Sequence, residues 1–345
     1  MIALEIKLRV YSGKLNCIYT QKFSRNKIII YLDEKFSTTR LLSKRRQICE
    51  YKIEDKFRSV LFLPENNHRI GEGGLRTKDH YKHSYKDKPL ISIVTIVYNG
   101  EMHLKETILS VLNQDYDNVE YIIIDGGSTD GTLGIVKKYE GQIDYWASEP
   151  DKGISDAFNK GLRLATGDYV LMLNSGDSFL DKYSLADMVT KIGADITAFQ
   201  SQTDTGNVFP DYQLKDIAIS SDQMSPEEKF KNARPAHQAT LVKLSLYKKV
   251  GGYSLDYKIR MDFKFFLSAQ KNSPTTCYNI AVIHFRTDGI SSSIKNQIKF
   301  KQEELKAIRS EYQVNTKFLM KFYFTIPSYL LKKLLSHFYY KYKRA

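Results

Sequence analysis

Four apolar runs of strand length, LISIVTIVYN (90–99), VEYIIID (119–125), IDYWAS (143–148) and DYVLML (168–173), punctuate the middle of the chain. Segments with helical spacing of apolar residues separate them, at 101–114, 129–139 and 153–165. An unbroken apolar run belongs to a strand covered on both faces, whereas a strand with one wet face alternates. Strand and helix in strict alternation predict an α/β fold, a mostly parallel sheet flanked by helices and joined by right-handed crossovers. Such sheets bind ligands outside the carboxyl ends of their strands. Tyr98 and Asn99, Asp125, and Asn174 to Asp177 all follow strand ends, so the pattern sends them to one cleft.

The flanks differ from this middle. Residues 1–88 carry a net charge of +10, residues 89–294 carry −6, and residues 295–345 carry +9, for +13 in all. A nucleic-acid enzyme concentrates basic charge along its groove, so nucleic-acid binding is disfavoured. Basic flanks suit an anionic membrane surface, although solvated lysines account for them as well. Residues 1–88 are expected to form an N-terminal extension or small domain, with the polar, glycine-containing stretch 65–89 as a linker. The end of the chain, FLMKFYFTIPSYLLKKLLSHFYYKYKRA (318–345), mixes aromatics and leucines with lysines. It reads as a basic amphipathic helical tail, lying on a membrane or packed on the body. The 345 residues include three cysteines (Cys17, Cys49, Cys277) and no CxxC pair, which suits a reducing cytosol. Neither a signal-peptide pattern nor an apolar run long enough to span a bilayer is present in these residues.

Three stretches carry candidate chemistry. In YIIIDGGSTDGT (121–132), Asp125 ends a buried strand and Gly126 and Gly127 follow. This is neither GxGxxG nor a phosphate loop, since the acid precedes the glycines and no GK[ST] follows. Asp125 offers an acceptor for a ligand N–H, and the glycines allow close approach or positive φ. Ser128 is a candidate helix cap, and a tight turn whose acid merely caps the helix is the competing account. In LNSGDSF (173–179), Asp177 is placed to hold a divalent cation, or simply to shape a turn. In IRMDFKFFLSA (259–269), Asp262 stands near a helix start, as a general base or as a charge favoured by the helix dipole.

Taken together, these residues resemble glycosyltransferase family 2, the inverting GT-A enzymes, over about residues 89–290. PLISIVTIVYNG resembles the family's first strand, VEYIIIDGGSTDGT its second, and SEPDKGISDAFNKGLRLATGDYVLMLNSGD its donor-site helix, fourth strand and metal-binding acid. PAHQATL (235–241) and MDFKFFL resemble the bacterial branch that assembles capsule, O-antigen and exopolysaccharide. The resemblance implies a GT-A (Rossmann-like) catalytic domain over 89–294. It implies that Asp125 reads the base of a nucleotide sugar, most often uracil, with Tyr98 beside the base and Asn99, Gly126, Gly127 and Ser128 around it. Asp177 would hold Mg²⁺ or Mn²⁺ against the diphosphate, with His284 a weaker candidate ligand. Asp262 would deprotonate the acceptor hydroxyl. Lys152, Asp156 and Asn159 would contact the donor, and His237 and Gln238 would lie in the substrate site. Asp151 is a weaker donor-sugar candidate, and Trp146 is expected in the core.

The pattern departs from the family in three places. One acid, Asp177, stands where two or three are common; Met261 precedes Asp262 where Glu is frequent; Phe158 precedes Asn159 where Arg is frequent. The implied activity is transfer from a nucleotide-diphosphate sugar to a saccharide acceptor, lipid-linked, at the cytoplasmic face of the membrane. Two alternatives stand beside it: a nucleotidyltransferase, disfavoured because VYNGEMHLKE lacks a basic Gly-rich loop, and a non-catalytic nucleotide- or sugar-binding protein.

Overall fold

The computed structural model describes residues 5–11, 14–23, 27–30, 41–49, 51–210, 218–219, 235–287, 296–313, 320 and 322, with backbone alone for 5–30 and 218–219. Four parallel strands form the heart of the large sheet: β6 (Ile91–Val97), β7 (Val119–Asp125), β8 (Tyr145–Ser148) and β9 (Tyr169–Met172). Their spatial order is β9-β6-β7-β8, all parallel. Between them run α1 (Leu104–Leu112), α2 (Thr132–Tyr139) and α3 (Ile154–Leu164).

Alternate residues of each strand feed opposite cores. Ile91, Ile93, Tyr121 and Ile123 pack with Leu104, Ile108 and Val136 on one face. Val94, Ile96, Ile122 and Ile124 pack with Ala157, Phe158 and Leu162 on the other. Both faces are dry, which is why no polar alternation marks these strands. Gly161 lets α3 lie directly on β6, because a Cβ there would overlap Val94.

Beyond β9 the sheet becomes mixed. β14 (Thr240–Lys243) runs antiparallel to both β9 and β11 (Ile196–Thr203); β15 (Thr275–Phe285) is parallel to β11, and β10 (Ser178–Phe179) closes that edge antiparallel to β15. The short β12 (Val208–Phe209) and β13 (Ala218–Ile219) pair with β11 and β15. The expectation of a mostly parallel sheet therefore describes the first half, and antiparallel pairing enters with β14. Helices α4 (Ser184–Thr190), α5 (Leu244–Val250), α6 (Met261–Gln270) and α7 (Gln297–Glu311) complete the flanking layers. Strand order reverses between β6 and β9, which makes their carboxyl ends the topological switch point.

The stretch 65–89 is not a free linker. It supplies β5 (Gly71–Gly73), which pairs with β8 on the outer edge. The glycines there admit Trp146, whose indole lies 2.7 Å from where a Cβ of Gly73 would stand. Arg76, 2% exposed, follows; it ion-pairs with buried Glu120 and donates to the carbonyls of Leu61 and Leu164. A buried guanidinium is tolerated only with such partners. Further upstream, β1 (Glu5–Tyr11), β2 (Lys14–Phe23), β3 (Lys27–Ile30) and β4 (Leu42–Ser43) make a separate antiparallel sheet.

Candidate active site

The ends of β6 and β7 are tied by Ser128. Its N–H and hydroxyl both donate to Asp125, and the hydroxyl oxygen accepts from the Asn99 N–H at 2.7 Å. Ser148 at the end of β8 donates to the other Asp125 oxygen at 2.6 Å. Asp125 is thus buried, 1% exposed, and held in place by two serines. Asn99 takes the left-handed conformation (φ +49), and its side-chain oxygen accepts from Thr129 N–H at 2.9 Å. Asparagine tolerates that region because its short amide bonds locally. Tyr98 is 66% exposed beside Gly126. A side chain at Gly126 would collide with the carboxylate of Asp151, and Gly127 has φ +85 against the Pro150 backbone. Tyr98, Gly126 and Asp151 therefore pack together beside Asp125.

The loop after β9 holds the most unusual chemistry. Thr107 on α1 accepts from Gly176 N–H at 3.0 Å and donates to the Asp177 carbonyl at 2.8 Å, pinning the turn, with Gly176 at φ +103. Asp177 is 4% exposed; Oδ1 accepts from Arg286 N–H at 3.2 Å, while Oδ2 finds no partner among the described residues. Asn174 Oδ1 and Ser175 Oγ, in the same loop, are also buried without a partner. Burial pushes the Asp177 carboxyl up to about 7, against the opposing pull of His237, the Arg286 N–H and Asn174. Buried polar atoms are normally satisfied, so three oxygens without a partner in one turn make it a candidate ligand site. A carboxylate oxygen with no other partner fits a divalent cation completed by phosphate and water oxygens. Among the described residues no cluster of three metal-binding side chains forms.

Asp262 sits in the first turn of α6. Its Oδ1 accepts from Phe263 N–H at 2.7 Å, and its Oδ2 faces His237 Nδ1 at 3.3 Å. Burial alone would raise its pKa; the His237 hydrogen bond, Arg260 and the Phe263 N–H overturn that and lower it to about 2. The other ring nitrogen of His237, Nε2, meets the Asn174 amide at 3.0 Å. The imidazole packs edge-on against Phe158 with ring centroids 5.9 Å apart. A continuous line thus joins the Asn174–Asp177 turn, through His237, to Asp262.

The other expected residues fall into place around this line or away from it. Gln238 is buried, 2% exposed, in the single helical turn His237–Ala239. Lys152 is exposed, and its N–H donates to Asp156, which also faces Lys160 at 3.7 Å. Asn159 spends both amide atoms on the backbone of Tyr253, at 2.7 Å each, and so ties α3 to the segment that leads to Asp262. His284 pairs with Asp204 at 3.2 Å. Its strand partner is Ser178, next to Asp177, but its imidazole is engaged elsewhere. Two cations near the site drew no attention in the sequence. Lys160 reaches Glu149 at 2.9 Å and Asp156 at 3.7 Å, and only the second contact is foreshadowed, by its i+4 spacing. Arg286 lies across Gly176, and its only sequence signal is a position just past the end of β15.

Residues 92–251 match the profile of Glycosyl transferase family 2. An uncharacterized glycosyltransferase of Mycobacterium tuberculosis is 32% identical over 214 residues, 59% of this chain and 78% of that protein. The chain belongs to glycosyltransferase family 2. The transferase is also 40% identical to the putative teichuronic acid biosynthesis glycosyltransferase TuaG of Bacillus subtilis, over 27% of its own length and 38% of TuaG. Two solved structures share the fold. One is Staphylococcus aureus TarS (residues 1–349) in complex with UDP, with TM-score 0.51 and 20% identity over 64% of this chain and 65% of that one. The other is the mannosyltransferase PcManGT of Pyrobaculum calidifontis with GDP-Man and Mn²⁺, with TM-score 0.51 and 17% identity over 70% of each chain.

Proposed function

We propose that this transferase moves a sugar, with inversion, from a uridine-diphosphate donor to a saccharide acceptor carried on a lipid, in the assembly of a bacterial surface polysaccharide. The observation that carries the reading is the line from the unsatisfied Asn174–Asp177 turn through His237 to ionised Asp262. In this reading the turn takes the leaving diphosphate and Asp262 takes the proton, and the line through His237 supports the two roles.

In this reading Asp125 accepts from the base, and Tyr98 covers the base beside Gly126. Asp151 meets donor-sugar hydroxyls. Asp177 would hold a divalent cation, which when bound stabilises the negative charge of the departing diphosphate. The acceptor hydroxyl approaches Asp262. Its oxygen forms a bond to the anomeric carbon as the bond from that carbon to the diphosphate oxygen breaks. The electron pair leaves with the nucleoside diphosphate, and the hydroxyl proton passes to Asp262. A carboxylate held near 2 is a weak base toward a resting alcohol, so proton transfer comes late, once the new bond has made the hydroxyl strongly acidic. Inversion follows because the incoming oxygen and the leaving group occupy opposite faces of the sugar. The expected metal is Mn²⁺ or Mg²⁺, as fits a single-carboxylate site that leaves its remaining positions to donor and water.

The test is a thermal-shift panel of UDP, GDP, dTDP and CDP with and without Mn²⁺, on wild type and Asp177→Asn. A bound ligand at 100-fold excess over its Kd stabilises the fold by about 2.7 kcal/mol. The reading expects a shift with UDP that grows with Mn²⁺ and loses its metal-dependent part in Asp177→Asn. No shift with any nucleotide, from folded protein, would turn the account toward a non-catalytic protein.

A further inference from the structure

Helix α7 lies outside residues 92–251, yet it grips the segment that presents Asp262. The Glu303 carboxylate, 7% exposed, accepts three consecutive backbone N–H groups: Lys258 at 3.0 Å on one oxygen, and Ile259 at 2.8 Å and Arg260 at 2.9 Å on the other. These are residues just ahead of α6. Arg260 holds the N-cap position there, and its own side chain makes no cap hydrogen bond. A carboxylate at a helix start is favoured by both the free N–H groups and the dipole. Glu304, fully buried, faces the Arg260 guanidinium at 3.7 Å, and that guanidinium stacks between Phe263 and Phe300. At the other end of α6, Glu311 binds Lys264, Ser268 and Lys271.

We infer that Glu303 is a positioning residue for the reaction: it fixes the backbone from which Asp262 projects, so that the carboxylate stays opposite His237. The inference rests on the reading of Asp262 as the base and adds to it a device supplied by α7. Three charge-assisted hydrogen bonds, stronger than neutral ones, are concentrated on one buried carboxylate. They converge on the residues whose displacement would move the base. His237 secures Asp262 from the β9 side and Glu303 secures it from the α7 side, so the carboxylate is braced between two elements with no covalent neighbour in common.

The experiment uses the full chain, with Glu303→Gln as the near-isosteric variant, Glu303→Asp as the shortened carboxylate, and Asp262→Asn alongside. Four quantities are read: amide hydrogen exchange at 258–263, UDP binding with Mn²⁺, release of UDP from UDP-sugars with water as acceptor, and Tm. Glu303→Gln and Glu303→Asp should speed exchange at 258–263. They should lower kcat about tenfold to a hundredfold, the order expected when a reacting group is displaced by about 1 Å. UDP affinity should stay near wild type, while Tm falls by a few degrees as the buried N–H groups lose their acceptor. Unchanged exchange, an unchanged kcat, or a kcat loss matched by lost UDP binding would each overturn the inference. If Asp262→Asn keeps full UDP release, the base reading itself fails, and that result is separable because it appears without any change at Glu303.

Discussion

Three carboxylates of one chain sit in three electrostatic settings. Asp125 is pinned by Ser128 and Ser148, Asp262 is held ionised by His237 and Arg260, and Asp177 is buried with one oxygen unused. The last has a measurable consequence. A carboxyl raised from its ordinary value to about 7 keeps its proton through mildly acidic pH, and only the ionised form can bind a cation. Mn²⁺ affinity in the presence of UDP should therefore climb with pH by up to about tenfold per unit below 7 and level off above it. Calorimetry at pH 5.5, 6.5 and 8 measures this, and a flat profile would mean that Asp177 is not the ligand. Asp262 should add no pH dependence near neutrality, because it is ionised throughout. The positions of all three acids were legible in the sequence, since each follows a strand end or opens a helix. Glu303 was not, because its value lies in three backbone N–H groups more than forty residues away, and no local pattern records them.

Among the elements, the parallel strands were readable because burial on both faces leaves continuous apolar runs. The rest of the sheet was not. β14 is four residues long and owes its direction to pairing with β9 and β11. β5 reads Gly-Glu-Gly, a poor strand by propensity, and exists because β8 offers an edge and Trp146 needs the space. Helix α3 links stability to the site. Phe158, where many relatives were expected to carry arginine, is 1% exposed and packs against His237 and Tyr253. Phe158→Ala should destabilise the fold by about 3–5 kcal/mol and, by loosening His237, reduce turnover more than it reduces UDP affinity. Urea unfolding checks the first part, with the midpoint falling while the m-value stays constant. A loss under 1 kcal/mol would mean that the pocket collapses around the smaller side chain.

Over the whole molecule, acidic and basic charge are segregated: the body from 89 to 294 is mildly acidic and both flanks are basic. Among the described residues no helix is long and apolar enough to cross a membrane. The tail at 318–345 falls almost entirely outside the described residues, so its expected surface helix rests on sequence. Association with an anionic bilayer should be weakened by deleting 318–345 and by raising salt, as screening of surface lysines requires. Co-sedimentation with vesicles containing phosphatidylglycerol reads this directly, and binding that survives both treatments would remove the tail from the account.

Time-resolved proton NMR of turnover of an α-linked UDP-sugar, on wild type and Asp262→Asn, reads both the stereochemistry and the base. With inversion, the β-anomer of the released or transferred sugar forms first. Asp262→Asn should slow this step by about 10²- to 10⁴-fold, the range of a lost general base, while UDP still binds. An α-anomer formed first, or undiminished turnover in Asp262→Asn, would contradict the proposed mechanism.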